Sequence, residues 1–148
     1  MRFFSRKILT YSVVIMSILL ACKKDQNPVP EVSVDLWFYN IESDSEFSKI
    51  TAPFNAVVVT GGYKNNGIII YRLKVDHESD DFVAYDRTCP YEVSSCKMIW
   101  KSSDGFYCTC ECCKSKYNLV GEYMENGPAE YPLRKYKTEF IDGNLHIY

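Results

Sequence analysis

Short runs of β-branched and aromatic residues, each bounded by turn-forming residues, recur along most of this chain. Val57–Val59 and Ile68–Tyr71 are two such runs, and the connection between them, Gly61–Gly67, contains Gly-Gly and Asn-Asn-Gly. Ser102–Gly105 and Asp142–Asn144 separate two further pairs of runs in the same way. Many short strands with regularly spaced turns are typical of antiparallel sheets. The sequence therefore predicts an all-β domain, either an antiparallel β-sandwich or a small barrel.

Two local features add to this outline. The segment Ser43–Ile50 predicts a short helix, because Ser43 is a suitable N-cap and Glu46 follows three residues later. The chain is also rich in aromatic residues, with 12 Tyr, 8 Phe and 2 Trp. Aromatic side chains suit half-buried sheet faces, so packing within the sheets is the first interpretation and a carbohydrate-binding surface is the alternative.

The N-terminal segment has the pattern of an export signal. Three basic residues within the first seven positions precede the mostly apolar stretch Ile8–Leu20. That stretch is shorter than the roughly 20 residues that a spanning helix needs, and its flanks are those of a signal peptide. The sequence Leu-Leu-Ala-Cys ending at Cys22 resembles the lipobox of bacterial lipoproteins. The resemblance implies cleavage before Cys22 and acylation of this cysteine, and two or three acyl chains give stable anchoring.

These features divide the chain into three parts. Residues 1–21 are the predicted lipoprotein signal peptide, residues 22–31 a polar, proline-containing tether that carries the lipid anchor, and residues 32–148 the β domain. After cleavage, 14 Lys and Arg remain against 19 Asp and Glu, a formal net charge of −5. Nucleic-acid binding requires a clustered basic surface, so this acidic chain is not expected to bind nucleic acid. The expected partners are the bacterial outer membrane, on its periplasmic or cell-surface side, and an unidentified protein or redox partner.

The cysteines are the residues that carry chemistry. Apart from Cys22, six cysteines lie in two stretches: Cys89, Cys96, Cys108, Cys110, Cys112 and Cys113. An even number in an exported chain indicates disulfides, and six cysteines allow 15 pairings. Adjacent Cys112 and Cys113 would pair only with a strained backbone. If the strand before them continued, positions 108, 110 and 112 would share one face and Cys113 would point to the other.

The second cysteine stretch also carries a family motif. It reads Cys110-Glu-Cys112-Cys113-Lys-Ser-Lys-Tyr-Asn, and Gly-Pro-Ala at 127–129 and Pro-Leu at 132–133 follow it. The chain from Asn55 to its C-terminus resembles a Rieske iron–sulfur domain, in which the box reads Cys-Pro-Cys-His-Gly-Ser-x-Phe-Asp. The likeness covers about two thirds of the chain in the right order, and it extends to predicted lipoproteins of the same kind. It implies a Rieske-like fold with two cysteine-bearing loops and electron transfer through a [2Fe–2S] cluster.

The ligand positions depart from the family pattern. A Rieske cluster uses two cysteines and two histidines. Cys89 and Cys110 match the cysteine positions, but Tyr91 and Cys113 occupy the histidine positions. The chain contains two histidines, which match neither position: His77 and His146. The resemblance is therefore to a degenerate Rieske-like domain that lacks its histidine ligands.

Three hypotheses follow for the cysteines. In one, a [2Fe–2S] cluster or a single metal binds to the thiolates of four candidate ligands: Cys89, Cys96, Cys110 and Cys113. In another, no cofactor binds and disulfides stabilise a binding or structural module of the envelope. In the third, the Cys-x-x-Cys pair at 110 and 113 is a dithiol exchange motif.

The resemblance also bears on the disulfides. Cys96 and Cys112 resemble the pair that joins the two cluster loops in respiratory Rieske domains, and Cys108 is a further candidate. Cys89 with Cys110 or Cys113 would form a second link across the former cluster site. The sequence contains no pattern of a catalytic site, so a non-catalytic or electron-transfer role is expected.

Overall fold

The computed structural model describes residues 26–148, and within this range the chain is all-β with no α-helix. The predicted fold class is therefore confirmed. The predicted signal peptide, Cys22 and the start of the tether lie outside the described residues. Eleven strands lie within this range: β1 Leu36–Phe38, β2 Ala56–Val59, β3 Ile68–Arg72, β4 Phe82–Asp86, β5 Met98–Trp100, β6 Tyr107–Cys110, β7 Lys116–Asn118, β8 Tyr123–Asn126, β9 Lys135–Tyr136, β10 Thr138–Ile141 and β11 Asn144–Ile147. None of the helical segments in residues 26–148 has the length and apolar character needed to cross a membrane.

The strands form three open antiparallel sheets. Their strand orders are β1-β11-β10, β2-β3-β4-β9 and β5-β6-β7-β8. Within the described part of the chain no sheet closes into a barrel, so of the two predicted architectures the sandwich fits the structure. The hairpins that the sequence predicts between β2 and β3, between β5 and β6, and between β10 and β11 are all present.

The sheet β2-β3-β4-β9 lies at the centre because two of its strands are buried on both faces. On β3, Ile69 and Tyr71 pack into a core that contains the cysteines, whereas Ile68 and Ile70 pack into a second core against β10 and β11. Strand β4 alternates in the same way. Burying each large apolar side chain contributes roughly 1.5–3 kcal/mol, so these runs fix the central sheet and the layers on both sides of it.

The helix predicted over Ser43–Ile50 is wrong. The structure has turns there and a 3-10 helix only over Ser48–Ile50. The Asp44 carboxylate accepts the backbone N–H of Glu46 at 2.8 Å, and the Ser48 hydroxyl donates to the Ser45 carbonyl at 2.8 Å. Such local side-chain bonds compete with helical hydrogen bonds, and they outweigh the capping pattern here.

The described end of the predicted tether lies against the domain. The Asn27 side-chain amide donates to the Pro132 carbonyl at 2.9 Å. Val29 is fully buried, and its carbonyl accepts two hydrogen bonds from the Arg134 guanidinium, at 3.1 and 2.6 Å. The chain is therefore fixed to the β domain from Asn27 onward.

Candidate functional site

Two connections bring the cysteines together. The β4–β5 connection carries Cys89 and Cys96, and the backbone N–H of Cys89 donates to the Cys96 carbonyl at 3.0 Å. The β6–β7 connection carries the other loop cysteines and is closed by the Cys110 N–H, which donates to the Ser115 carbonyl at 2.8 Å. The Glu111 N–H donates to the Lys97 carbonyl at 3.2 Å. This last bond joins the two connections and holds them side by side.

A disulfide also joins the two connections. Cys96 and Cys112 are bonded, with their Cα atoms 6.0 Å apart and a sequence separation of 16. This is the pairing that the family resemblance implies. The Cys96 sulfur is therefore bonded to Cys112 and is not free to bind a metal while the disulfide is intact. Cys108, the other disulfide candidate, is a free, buried thiol on β6.

Three free thiols converge beside the disulfide. The sulfur atoms of Cys89, Cys110 and Cys113 all lie within 4.8 Å of one another, and those of Cys89 and Cys113 are 3.6 Å apart. Strand β6 ends at Cys110, and Lys114 has a φ of +64° in the turn that follows. Because the strand does not continue, Cys113 turns back towards Cys89. We call Cys89, Cys110 and Cys113 the thiol triad.

Cys110 also belongs to a second sulfur group. Its sulfur lies within 4.8 Å of both disulfide sulfurs, those of Cys96 and Cys112. Five sulfur atoms therefore form one cluster that is centred on Cys110. The structure thus places all four cysteines of the predicted ligand set together, three of them as free thiols and one in the disulfide.

Ser115 supports the exposed member of the triad. Its hydroxyl oxygen lies 3.2 Å from the Cys113 sulfur and accepts the Ala129 N–H at 3.1 Å. Gly127 packs so tightly behind Ser115 that an added Cβ atom would lie 2.4 Å from the Ser115 Cα. The sequence interpretation missed both residues, although the Gly-Pro-Ala stretch and the serine of the box were signals that could have indicated them.

The triad thiols differ in acidity. Burial acts to raise the pKa of Cys113, but hydrogen bonds from the Ser115 side chain and backbone and from the thiols of Cys110 and Cys89 lower it below its ordinary value. Burial raises the pKa of Cys89 to about 12 and that of Cys108 to about 12. Cys113, which is also the only partly exposed free thiol among residues 26–148, is the member with most thiolate character.

The donor atoms fit a thiolate site and do not fit a standard Rieske cluster. Among the described residues the sulfur groups include no histidine. His146 lies 2.8 Å from the Asp35 carboxylate on the β1-β11-β10 sheet, and His77 lies 3.7 Å from the Glu42 carboxylate. Tyr91, at one histidine position of the family pattern, is 55% exposed. A cluster with two cysteine and two histidine ligands therefore cannot form here.

A surface cavity lies beside the β5–β6 hairpin and the β6–β7 connection. It has a volume of about 360 Å³, and its lining includes Cys110, Thr109 and the lysines Lys101 and Lys114. Cys110 itself is buried. The cavity therefore lies on the outer side of the β5–β6 hairpin, next to the strand that carries Cys110.

Comparison with known proteins adds no family assignment. No protein-family model matches this chain, and no curated protein sequence matches it. The resemblance to Rieske domains and to lipoproteins therefore remains a prediction from the motifs themselves.

Proposed function

We propose that this chain is a lipid-anchored envelope protein whose degenerate Rieske-like domain carries a redox-active metal or iron–sulfur centre on cysteine thiolates and exchanges electrons with a protein partner. The observation that carries the proposal is the convergence of three free thiols within 4.8 Å on two separate loops. A free thiol triad with this geometry is unusual in an exported chain, where thiols normally form disulfides. Ligation to a metal would explain why the three thiols stay together.

The sulfur spacing supports ligation. Thiolates that bind a tetrahedral metal at about 2.3 Å lie about 3.8 Å apart, and the sulfurs of Cys89 and Cys113 are 3.6 Å apart. Cys89, Cys110 and Cys113 would hold a single thiophilic metal directly. A two-iron cluster needs a fourth thiolate, which Cys96 or Cys112 would supply after reduction of their disulfide.

The chain's own residues would fix and shield such a centre. Cys89 and Cys110 are fully buried, which excludes water from most of the site. Ser115, held by the Ala129 N–H, orients Cys113. When bound, an iron–sulfur centre supplies a one-electron couple, and all-thiolate ligation gives it a lower potential than a centre with two histidine ligands.

A second candidate function rests on the same sulfur pair. If Cys89 and Cys113 form a disulfide, the domain has two links between its cysteine loops and no centre. It would then act as a disulfide-stabilised binding or structural module. The existing bond between Cys96 and Cys112 favours this alternative, because it indicates an oxidising compartment.

Metal content and thiol counting test the proposal. The full chain, purified in detergent without oxygen, is examined by visible absorption, by iron, copper and zinc analysis, and by thiol titration after denaturation. The proposal expects about one redox-active metal per chain with the four free thiols of the structure, or about two irons per chain with two further thiols from the reduced Cys96–Cys112 disulfide. Cys89→Ser should remove the metal. Cys108→Ser is the matched control, since Cys108 is a buried free thiol outside both sulfur groups.

The opposite result is equally specific. A colourless, metal-free protein in which only Cys108 and Cys110 titrate would establish a disulfide between Cys89 and Cys113 and contradict electron transfer. A protein that contains zinc alone would keep the thiolate site but also contradict electron transfer, since zinc has no redox couple.

A further inference from the structure

A row of stacked rings covers the outer face of the β1-β11-β10 sheet. Trp37 stacks on His146 with ring centroids 3.9 Å apart and planes inclined by 11°. Tyr148 also stacks on His146, with ring centroids 4.7 Å apart, and Tyr39 lies nearly parallel to Trp37 at 6.3 Å. We call these four residues the aromatic row. Tyr39, Trp37 and Tyr148 remain 65%, 49% and 45% exposed.

Strand alternation explains why these rings face solvent. Trp37 pairs with His146, and His146 pairs with Glu139 across the sheet. The neighbouring positions Leu145 and Phe140 point inward and are buried in the second core. Large apolar side chains that are exposed singly are ordinary, but a contiguous exposed patch marks an interaction surface.

The chain that leads to the predicted lipid anchor is fixed close to this face. Asn27 and Val29 are bonded to the domain through Pro132 and Arg134. Only five residue steps separate Cys22 from Asn27, and an extended chain covers at most about 3.6 Å per residue. A lipid on Cys22 therefore lies within roughly 18 Å of Asn27, which leaves the domain no room to move far from the membrane.

The same stretch of the domain leads to one end of the aromatic row. Arg134, which holds Val29, lies three residues before Lys137, a distance of about 10 Å along an extended strand. Lys137 and Tyr148 exchange both backbone hydrogen bonds, at 2.8 and 3.0 Å. The Tyr148 end of the row therefore lies on the side of the domain where the tether is fixed.

We propose that the aromatic row is a docking surface for the phospholipid membrane, which holds the domain flat against the bilayer beside its lipid anchor. The proposal rests on acylation of Cys22, a part of the proposed function. Trp and Tyr favour the membrane–water interface because their rings combine an apolar body with a polar group. The short tether makes docking an intramolecular event, so a weak intrinsic affinity is sufficient.

The charges on this face fit zwitterionic headgroups. Asp35 and Glu139 face the His146 ring, with oxygen–nitrogen distances of 2.8 and 3.8 Å. The Lys137 ammonium lies 5.6 Å from the Tyr148 ring centroid. A face that carries both signs of charge suits phosphatidylethanolamine better than a strongly anionic lipid.

Fluorescence quenching in vesicles tests the docking surface. The full chain is produced in a bacterium, its N-terminal peptide is weighed to establish acylation, and it is reconstituted into vesicles of mainly phosphatidylethanolamine with and without brominated acyl chains. In a Trp100→Phe variant the remaining Trp37 should be quenched by the brominated lipid. In a Trp37→Phe variant the remaining Trp100, whose indole N–H donates to the Gly105 carbonyl, should not be quenched.

Matched variants separate docking from unspecific adhesion. Replacing Tyr39 and Tyr148 by Ser should reduce the quenching of Trp37, whereas Tyr91→Ser with Phe54→Ser, two exposed aromatic residues elsewhere, should not. An acylated chain with unquenched Trp37 would overturn the docking inference and leave the anchor intact. A chain without acyl groups would overturn the anchor and the docking together. A shift of Trp37 emission by soluble peptidoglycan fragments, without quenching by lipid, would identify a glycan site instead.

Discussion

The sulfur atoms of Cys89 and Cys113 lie 3.6 Å apart although the two residues are 24 positions apart in the sequence. This distance is close to that between two thiolates on one tetrahedral metal, and it is too long for a sulfur–sulfur bond, which measures about 2.05 Å. A small inward movement would nevertheless allow oxidation. The chemical state of this pair therefore distinguishes a metal centre from a structural disulfide.

The free thiols should differ in reactivity when no metal is bound. Cys113 is partly exposed and has a lowered pKa, whereas Cys89, Cys108 and Cys110 are buried. Because the thiolate is the nucleophile, we expect iodoacetamide to label Cys113 first, and the buried thiols only on unfolding. Peptide mass spectrometry over a time course measures the order. Early labelling of Cys108 would contradict this packing.

The disulfide between Cys96 and Cys112 should contribute measurably to stability. It closes a loop with a sequence separation of 16, for which loop-closure entropy gives about 3 kcal/mol. Cys112→Ser should lower the free energy of unfolding by about this amount in chemical denaturation of the metal-free protein. A reductant should destabilise the wild-type protein by the same amount and leave the stability of the variant unchanged. If the reductant destabilised both proteins equally, the destabilisation would have a cause other than the loss of this disulfide.

The central strands of the fold can be predicted from the sequence because the patterns that indicate them are local. Strands β2, β3 and β4 coincide with β-branched and aromatic runs, and the turn between β2 and β3 carries glycine. Strand β7, Lys116–Asn118, has no such run and forms because it pairs with both β6 and β8. Strand β9 has two residues and pairs with β4 across a long sequence separation. Strands of this kind depend on tertiary context, which a local pattern does not contain.

The cysteine site was only partly predictable for a related reason. The sequence grouped the cysteines into two stretches, but it left open whether the strand continued past Cys110. The structure ends β6 there and turns the chain through Lys114 at positive φ, a conformation that lysine seldom adopts. Ser115 lies in the β6–β7 connection and Gly127 directly after β8. The sequence shows both residues, but their contact with each other appears only in the folded chain.

Gly127 should be intolerant of a side chain. It has a φ of +113°, and an added Cβ would lie 2.4 Å from the Ser115 Cα and 2.5 Å from its hydroxyl oxygen. Gly127→Ala should therefore both strain the backbone and displace Ser115, at a cost of about 3 kcal/mol or more in unfolding free energy. Chemical denaturation measures the loss, and the rate of Cys113 labelling reports the displaced serine.

Gly105 provides the control for this substitution. It also has a positive φ, +59°, but an added Cβ would meet nothing within 4 Å. Gly105→Ala should therefore cost only the backbone term, about 1 kcal/mol, and leave Cys113 labelling unchanged. If the two alanine variants lost equal stability, the close packing between Gly127 and Ser115 would make no contribution to the free energy of unfolding.

A buried ion pair should stabilise the centre of the domain. Arg72 and Asp81 are almost completely buried, with a nitrogen–oxygen distance of 3.5 Å. The Asp81 carboxylate also accepts the backbone N–H groups of Asp76 and His77 at about 3.0 Å. Asp81→Ala leaves two amides without this acceptor and leaves the guanidinium with only the half-exposed Glu42 carboxylate, 3.6 Å away, so we expect a loss of about 3 kcal/mol in unfolding free energy.

A surface pair distinguishes burial from charge alone. The Lys74 ammonium lies 2.9 Å from the Asp80 carboxylate, but both side chains are substantially exposed. Asp80→Ala should therefore change the unfolding free energy by no more than about 1 kcal/mol. Replacing both partners of the buried pair, Arg72→Met with Asp81→Leu, should recover stability relative to Asp81→Ala, because it removes the buried guanidinium that has lost its buried carboxylate. A double variant that is less stable than Asp81→Ala would show that the hydrogen bonds of Arg72 to the Ile50 and Lys74 carbonyls, rather than its pairing with Asp81, carry the stability.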